Sequence, residues 1–305
     1  FDLGASKEGH KALADFIKAA EFPIVSANVD ASNDKLLKGL FSDLISSKPE
    51  QGIVYQGMVK EVNGEKIGFF GLTTAETEFI ASPVDVKFKN YIDTAKKAVA
   101  AFEQMGINKI VAVSHLGYND NPNMDNDLLL AEHVDGIDVI VGGHSHTQLD
   151  ESTIIEKDEP TVIVQTGEYL NNLGKLNVSF DENGVVKRAN GQLIELGEYA
   201  EDAGAVEILK PYKAKVVEVE ETEIGVYLEK ELEQGRDGGD ITKRSVRKNE
   251  TNLGYVIADG MLAKAKEIGA KSYNKNVVMA LTNGGGIREK IDAGVRNNGI
   301  AYLHN

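Results

Sequence analysis

Three histidines in the 305-residue sequence stand where side chains of that type can do chemistry. His115 follows the apolar run Lys109-Ile110-Val111-Ala112-Val113, in the string Ser114-His115-Leu116-Gly117. His144 and His146 follow a second run, Ile137-Asp138-Val139-Ile140-Val141, in the string Gly142-Gly143-His144-Ser145-His146. Neutral imidazole is the commonest metal ligand, and three at one edge would make a metal cluster. In an extended segment residues i and i+2 point the same way, so His144 and His146 are expected to face one site. Gly142 and Gly143 would let the backbone approach closely there. A single histidine at a strand end can equally be a hydrogen-bonded surface residue, and for His115 alone both readings stand. His10, His133 and His304 have no partner pattern and are assigned to the surface.

The elements that must position these residues alternate. Glu8 to Ala20 carries apolar residues at helical spacing, Phe22 to Val29 reads as a strand, and Lys66 to Leu72 as another. Tyr91 to Met105 is an amphipathic helix with Ile92, Ala95, Val99 and Phe102 on one face. Strand 109–113 comes next, then a helix from Asp125, its expected N-cap, to His133, then strand 137–141. Strands alternating with helices imply βαβ units and a largely parallel inner sheet, whose ligands sit beyond the carboxyl ends of the strands. Both histidine clusters fall at such ends. Further on, Thr161 to Gln165, Lys175 to Phe180 and Val185 to Ala189 read as strands, the last two joined through Asp181-Glu182-Asn183-Gly184, a hairpin signal. Glu201 to Val219 reads as one charged helix. Beyond it, a strand at Ile224 to Leu228, a helix from about Leu253 to Ile268 and a strand at Val277 to Leu281 would open a second α/β unit.

Composition narrows the function classes. Hydrophobic residues make up 42% and charged residues 27%, as in ordinary globular proteins, and the length favours two domains. Forty-eight acidic residues against 33 basic ones give a net charge of −15. That balance argues against binding a nucleic-acid polymer through its backbone, which needs a basic footprint. An anionic substrate would need a metal or a few placed arginines. No apolar run approaches the ~20 residues that cross a bilayer. Cysteine is absent, which removes disulfides and thiolate metal sites. The chain opens on Phe1-Asp2 without an initiator methionine and closes on strand-like residues, so it reads as a fragment.

These strings together resemble the 5′-nucleotidase branch of the calcineurin-like metallophosphoesterases. Gly142 to Thr147 with its preceding strand resembles the last metal-binding motif, and Val113 to Gly117 the one before it. Phe1-Asp2 resembles the end of a Gly-Asn-His-Glu-Phe-Asp motif. Glu250-Thr251-Asn252-Leu253-Gly254 and Thr282-Asn283-Gly284-Gly285-Gly286-Ile287-Arg288 resemble the two signature segments of that branch's C-terminal domain. The implied fold is α/β, an αββα sandwich followed by the start of a second α/β domain. The implied division is a catalytic domain over 1–200, a linker helix over 201–220 and a substrate domain over 221–305.

The resemblance also implies roles. His115 and His144 would ligate one divalent ion of a pair, zinc, manganese or similar, and His146 the other. Asp2 would orient a catalytic histidine, while Arg247, Asn283, Gly285 and Arg288 would bind the nucleotide. Some relatives carry an arginine nearer the Glu-Thr-Asn string, where this chain has Asn249. The family's Asp-x-His motif, bridging aspartate and Asn-His pair would all precede Phe1, and its base-clamping aromatic residues would follow the final glycines at a distance. Read from the residues alone, Asn283 to Gly286 could be a plain turn and Arg288 a surface ion pair. No Lys-Ser or Lys-Thr follows the glycines, which excludes a P-loop. The implied activity is metal-dependent hydrolysis of nucleoside 5′-monophosphates by a secreted or cell-wall protein. A 2′,3′-cyclic-nucleotide or UDP-sugar hydrolase, or a catalytically incomplete surface protein, are the alternatives.

Overall fold

Apolar runs bounded by amphipathic stretches build a mixed α/β architecture, seen in a computed structural model that describes residues 10–81, 83–119, 121, 123–220, 223–233, 246, 249–287, 290–291 and 300–302. They form two compact units, the first ending at Tyr199 and the second starting at Ala200. The first opens with helix α1 (Lys11–Ala19) and strands β1 (Ile24–Val25), β2 (Val29–Asp30), β3 (Phe41–Ser46), β4 (Val54–Val62) and β5 (Glu65–Thr73). Then come α2 (Thr77–Ile80), β6 (Lys87–Phe88), α3 (Tyr91–Gln104), β7 (Ile110–His115), α4 (Asp127–His133) and β8 (Val139–Val141). Strands β9 (Thr153–Ile155), β10 (Thr161–Val164), β11 (Asn172–Phe180) and β12 (Val186–Glu195) complete it.

Eight strands share one sheet in the order β1-β4-β5-β7-β8-β10-β9, with β3 also paired to β4. Strands β5, β7, β8 and β10 are mutually parallel, as the alternating pattern requires; β4 runs against β5 but parallel to β1 and β3, and β9 runs against β10. Helices α3 and α4 cover one face, where Phe102, Ile110, Leu130, Ile137 and Ile140 are fully buried. On the other face the hairpin β11–β12 lays Leu176, Val178, Phe180 and Ala189 over Val139, Val162 and Val164. Its expected turn is present: Asp181 Oδ1 accepts from Asn183 N and Val185 N, and Gly184 takes φ +88°. Towards the carboxyl ends of the strands this cover thins, leaving Val113 45% and Val141 42% exposed.

The single strand expected over Phe22 to Val29 is broken. After β1 the chain leaves β4, and Asn28 bonds both backbone groups of Thr73 through its side chain, so β2 pairs with β6 instead. Asp125 is not the N-cap of α4. That place belongs to Asn126, whose Oδ1 accepts from Leu129 N at 2.8 Å. His10 is not at the surface either: it is 3% exposed and bonded through Nδ1 to Asp34 Oδ2 at 2.8 Å. It stands at the N-cap position of α1, which begins one residue later. His133 is exposed as expected, and His304 lies outside the described residues.

In the second unit, α5 (Ala203–Glu220) is followed by β13 (Glu223–Tyr227), α6 (Asn252–Tyr273) and β14 (Ile300–Tyr302), and β13 and β14 pair antiparallel. Thr251 caps α6 by accepting from Gly254 N at 3.0 Å. The strand expected over Val277 to Leu281 is not formed. Val278, Met279 and Leu281 are exposed there, so no packing partner supplies what their β-propensity needs.

At the amino ends of the parallel strands, Asp138 is buried and accepts from Ile110 N at 2.7 Å. Burial pushes its carboxyl up to about 7, against the pull of that hydrogen bond. The folded state therefore holds a proton that the unfolded chain releases near pH 4, and stability falls as pH rises through this window. Asp138→Asn keeps an acceptor for Ile110 and removes the charge. Thermal melts should show it more stable than wild type, with a gain growing between about pH 4 and pH 7 and level above. A gain independent of pH would contradict the assignment.

Candidate metal centre

The parallel register delivers the histidines. Thr73 pairs with His115, Val113 with Val141, and Val141 with Val164, so four strands end on one edge. His115 closes β7, and the Gly-Gly-His-Ser-His loop follows β8. The two glycines carry the close approach expected of them. A Cβ on Gly143 would sit 3.0 Å from His115 Nδ1, and one on Gly142 only 2.3 Å from Asp127 Oδ2. With that space given up, the rings of His115 and His144 lie 5.2 Å apart between centres, at 61°.

The expectation of an extended loop with both histidines facing one way does not hold. His144 and His146 take φ +71° and +57°, in the left-handed region, and the chain bends between them. Their rings consequently meet different partners. His144 Nε2 lies 3.2 Å from Glu76 Oε2. His146 Nδ1 lies 2.5 Å from Glu168 Oε2, with Tyr169 edge-on at 5.6 Å.

The loop is held from beneath. Ser145 Oγ accepts from Tyr118 N at 2.9 Å and reaches Gln165 Oε1 at 3.2 Å, which also accepts from Thr147 N at 2.6 Å. Ser114 Oγ donates to the buried Asp127 at 2.5 Å. Beyond β5, Asp125 accepts from Thr74 Oγ1 at 2.7 Å and Ala75 N at 2.8 Å, while Asn121 Nδ2 donates to Glu76 Oε1 at 2.5 Å. The Asn121 bond holds the Glu76 carboxyl below its ordinary range, and burial raises that of Asp125. Sequence reasoning named none of Glu76, Asn121, Asp127, Gln165 or Glu168 for this site. The rule that found His115, that ligands gather beyond parallel strand ends, applies equally to Thr74 to Glu76 and to Gln165 to Glu168 once β5 and β10 are known to be parallel to β7.

Two imidazoles on one tetrahedral ion at about 2.1 Å place their ring centres about 5 Å apart. His115 and His144 fit that, and Glu76, Asp125 and Asp127 around them supply negative charge suited to a cation. Among the described residues no group of three or more His, Asp or Glu side chains converges to hold an ion, so the pair is a partial donor set. In the second unit, Asn283 stands at the head of a single 3-10 turn, Gly284–Gly286, which contains Gly285. Asp2, Arg247 and Arg288 lie outside the described residues.

Known proteins resemble this chain in sequence and, for one solved structure, in fold. The trifunctional nucleotide phosphoesterase protein YfkN of Bacillus subtilis is 40% identical over 287 residues, 91% of this chain and 18% of its own length. Human 5′-nucleotidase is 31% identical over 313 residues, 96% of this chain and 49% of its own. The crystal structure of a 5′-nucleotidase precursor from Thermus thermophilus superposes with a TM-score of 0.72 at 33% identity, over 99% of this chain and 54% of that one. Homologues named 5′-nucleotidase or nucleotide phosphoesterase thus cover nearly all of this chain. No protein-family model matches it. It spans about half the length, or less, of these relatives, and its mixed α/β fold with a largely parallel sheet matches that of the Thermus protein.

The packing of Gly142 and Gly143 is testable without any ligand. Gly142→Ala drives a methyl into Asp127 beneath the loop and should cost about 1–3 kcal/mol of stability, read by thermal or urea unfolding. Gly143→Ala, whose methyl meets the edge of the His115 ring at 3.0 Å and the Ser114 carbonyl at 3.4 Å, should cost less. A neutral Gly142→Ala would mean that the loop does not lie on Asp127.

Proposed function

We propose that the protein hydrolyses nucleoside 5′-monophosphates to nucleoside and phosphate, with His115 and His144 holding one divalent ion and His146 a second. The observation that carries this reading is the His115–His144 pair, 5.2 Å apart at the carboxyl edge of a parallel sheet and backed by carboxylates. The names of the relatives support the substrate class. Bound divalent ions supply Lewis-acid polarisation of a phosphoryl oxygen and make water a nucleophile near neutral pH. The chain's own residues do the rest. His115 and His144 would hold the ion against the rigid strand ends, and Gln165 and Ser145 hold the loop that carries His144 and His146. The flanking carboxylates keep the imidazoles oriented.

In this reading the segment 1–200 is catalytic, the helix over 201–220 links, and residues 221–305 recognise substrate. Arg247, Asn283, Gly285 and Arg288 would contact the nucleotide, and Asp2 would orient a catalytic histidine. An arginine offers a planar fork for an anionic group, which lets a protein of net charge −15 bind a phosphate ester. A broader specificity, for cyclic nucleotides or nucleotide sugars, is favoured by the trifunctional name of the Bacillus relative. No helix among the described residues is long and apolar enough to cross a membrane. An exported, cell-surface place is proposed from the family, one of whose solved members is named a precursor.

Two measurements test this. In the complete protein, His144→Ala should abolish hydrolysis of AMP and of p-nitrophenyl phosphate alike. Arg288→Ala should lower kcat/KM for AMP by about ten- to a hundredfold, the worth of one charge-assisted contact of about 1.5–3 kcal/mol, and spare p-nitrophenyl phosphate. Equal losses on both substrates for Arg288→Ala would defeat the nucleotide-recognition role.

The 305 residues alone, with only a partial donor set among the described residues, should hydrolyse AMP poorly. Robust metal-dependent turnover by them would contradict the assignment of the remaining ligands elsewhere.

A further inference from the structure

The two motif histidines are each held by a separate carboxylate, and through opposite ring nitrogens. Glu76 meets Nε2 of His144, whereas Glu168 meets Nδ1 of His146. We propose that Glu76 and Glu168 are positioning residues that fix opposite tautomers of His144 and His146, and so decide which nitrogen each presents to an ion. The proposal rests on the reading of both histidines as metal ligands and adds to it two glutamates from different strand ends.

A carboxylate only accepts hydrogen bonds, so the imidazole nitrogen facing it must carry the proton. A neutral imidazole has one such proton. His144 then holds it on Nε2 and directs its lone pair from Nδ1, and His146 does the reverse. A ligating histidine usually donates its other nitrogen in this way, which fixes both tautomer and ring plane. Each glutamate is itself restrained. Glu76 Oε1 accepts from Asn121, and Glu76 N donates to Thr74 Oγ1 at 3.1 Å, tying the residue to Asp125 through Thr74. Glu168 follows Gly167, whose φ of +85° turns the chain after β10, and its carbonyl accepts from Asn171 N at 3.1 Å. Tyr169, edge-on to His146, limits rotation of that ring. Because the backbone is left-handed at both histidines, backbone direction alone does not aim their rings. The glutamates do.

The test reads protons first and metal second. The complete protein is labelled with 15N-histidine, stripped of metal with a chelator, and examined above neutral pH by long-range 1H–15N correlation. Expected are an Nε2–H tautomer for His144 and an Nδ1–H tautomer for His146. The second is diagnostic, since a solvated imidazole favours the proton on Nε2. Glu168→Ala should return His146 to Nε2–H, and Glu168→Asp should retain part of the wild-type signature. Competition with a chromophoric chelator should show Glu76→Ala and Glu168→Ala binding Mn²⁺ on the order of ten- to a hundredfold more weakly than wild type, with unchanged circular dichroism. The corresponding aspartate variants should recover part of the loss.

An Nε2–H His146 in the wild type would overturn the proposal. So would wild-type tautomers and affinity in both alanine variants. A wild type that binds no Mn²⁺ yet shows the expected tautomers would instead count against the hydrolase reading and leave the positioning role upheld by the glutamate variants' spectra.

Discussion

Parallel strands in register impose one constraint from which the site follows. When β5, β7, β8 and β10 run the same way and end level, whatever follows each of them is delivered to a common edge. Thr74 to Glu76, His115, the Gly142–His146 loop and Gln165 to Glu168 meet for that reason, although no two of these segments adjoin in the chain. Shifting any strand by a residue would turn its side chains to the opposite face and break the meeting. Both faces of such a sheet need cover, and α3, α4 and the β11–β12 hairpin provide it over most of the strands.

Charge is distributed to match. The protein is strongly acidic, and the edge that carries the histidines is acidic too, with Glu76, Asp125, Asp127 and Glu168 close by. An anion would be repelled from this edge, whereas a divalent cation would be drawn to it and could then attract a phosphate ester. The carboxylates do not compete for one place. Asp125 is spent on the Thr74–Ala75 turn and Asp127 on Ser114, while the two glutamates face the imidazoles. The bonds from Ser114 to Asp127 and from Thr147 to Gln165 stiffen the loop, because releasing either would leave a further buried polar group unsatisfied.

Much of this was legible in the residues. The 3.6-residue period of Tyr91 to Met105 and the two short apolar runs declare α3, β7 and β8, and Asp181 to Gly184 declares the hairpin. His115 and the Gly-Gly-His-Ser-His string could be placed at strand ends before any coordinates. The losses have physical causes. Strands β3 and β4 mix polar and apolar residues without clean alternation, because their place in the sheet is set by partners rather than by their own pattern. Val277 to Leu281 is apolar, but Val278, Met279 and Leu281 stay exposed. The i, i+2 argument failed because histidine tolerates left-handed backbone better than most residues do, and a bend there costs less than an alternating run would suggest. Glu76 and Glu168 were invisible because a carboxylate's role depends on which strand end stands opposite, and that is fixed only by tertiary pairing.

The same register has a consequence for how the molecule comes into being on the ribosome. The members of the histidine edge span residues 74 to 168, and each joins the others through a crossover rather than a tight turn. Every crossover must lose its loop-closure entropy before the contacts it brings can repay it, which makes such sheets slow to assemble. Gln165 is both near the end of this span and the side chain that clamps the Ser145 and Thr147 loop. A nascent chain lacking it can lay down β5, β7 and β8 and still have no fixed site. The histidine edge is therefore fixed all at once, when β10 takes its place beside β8.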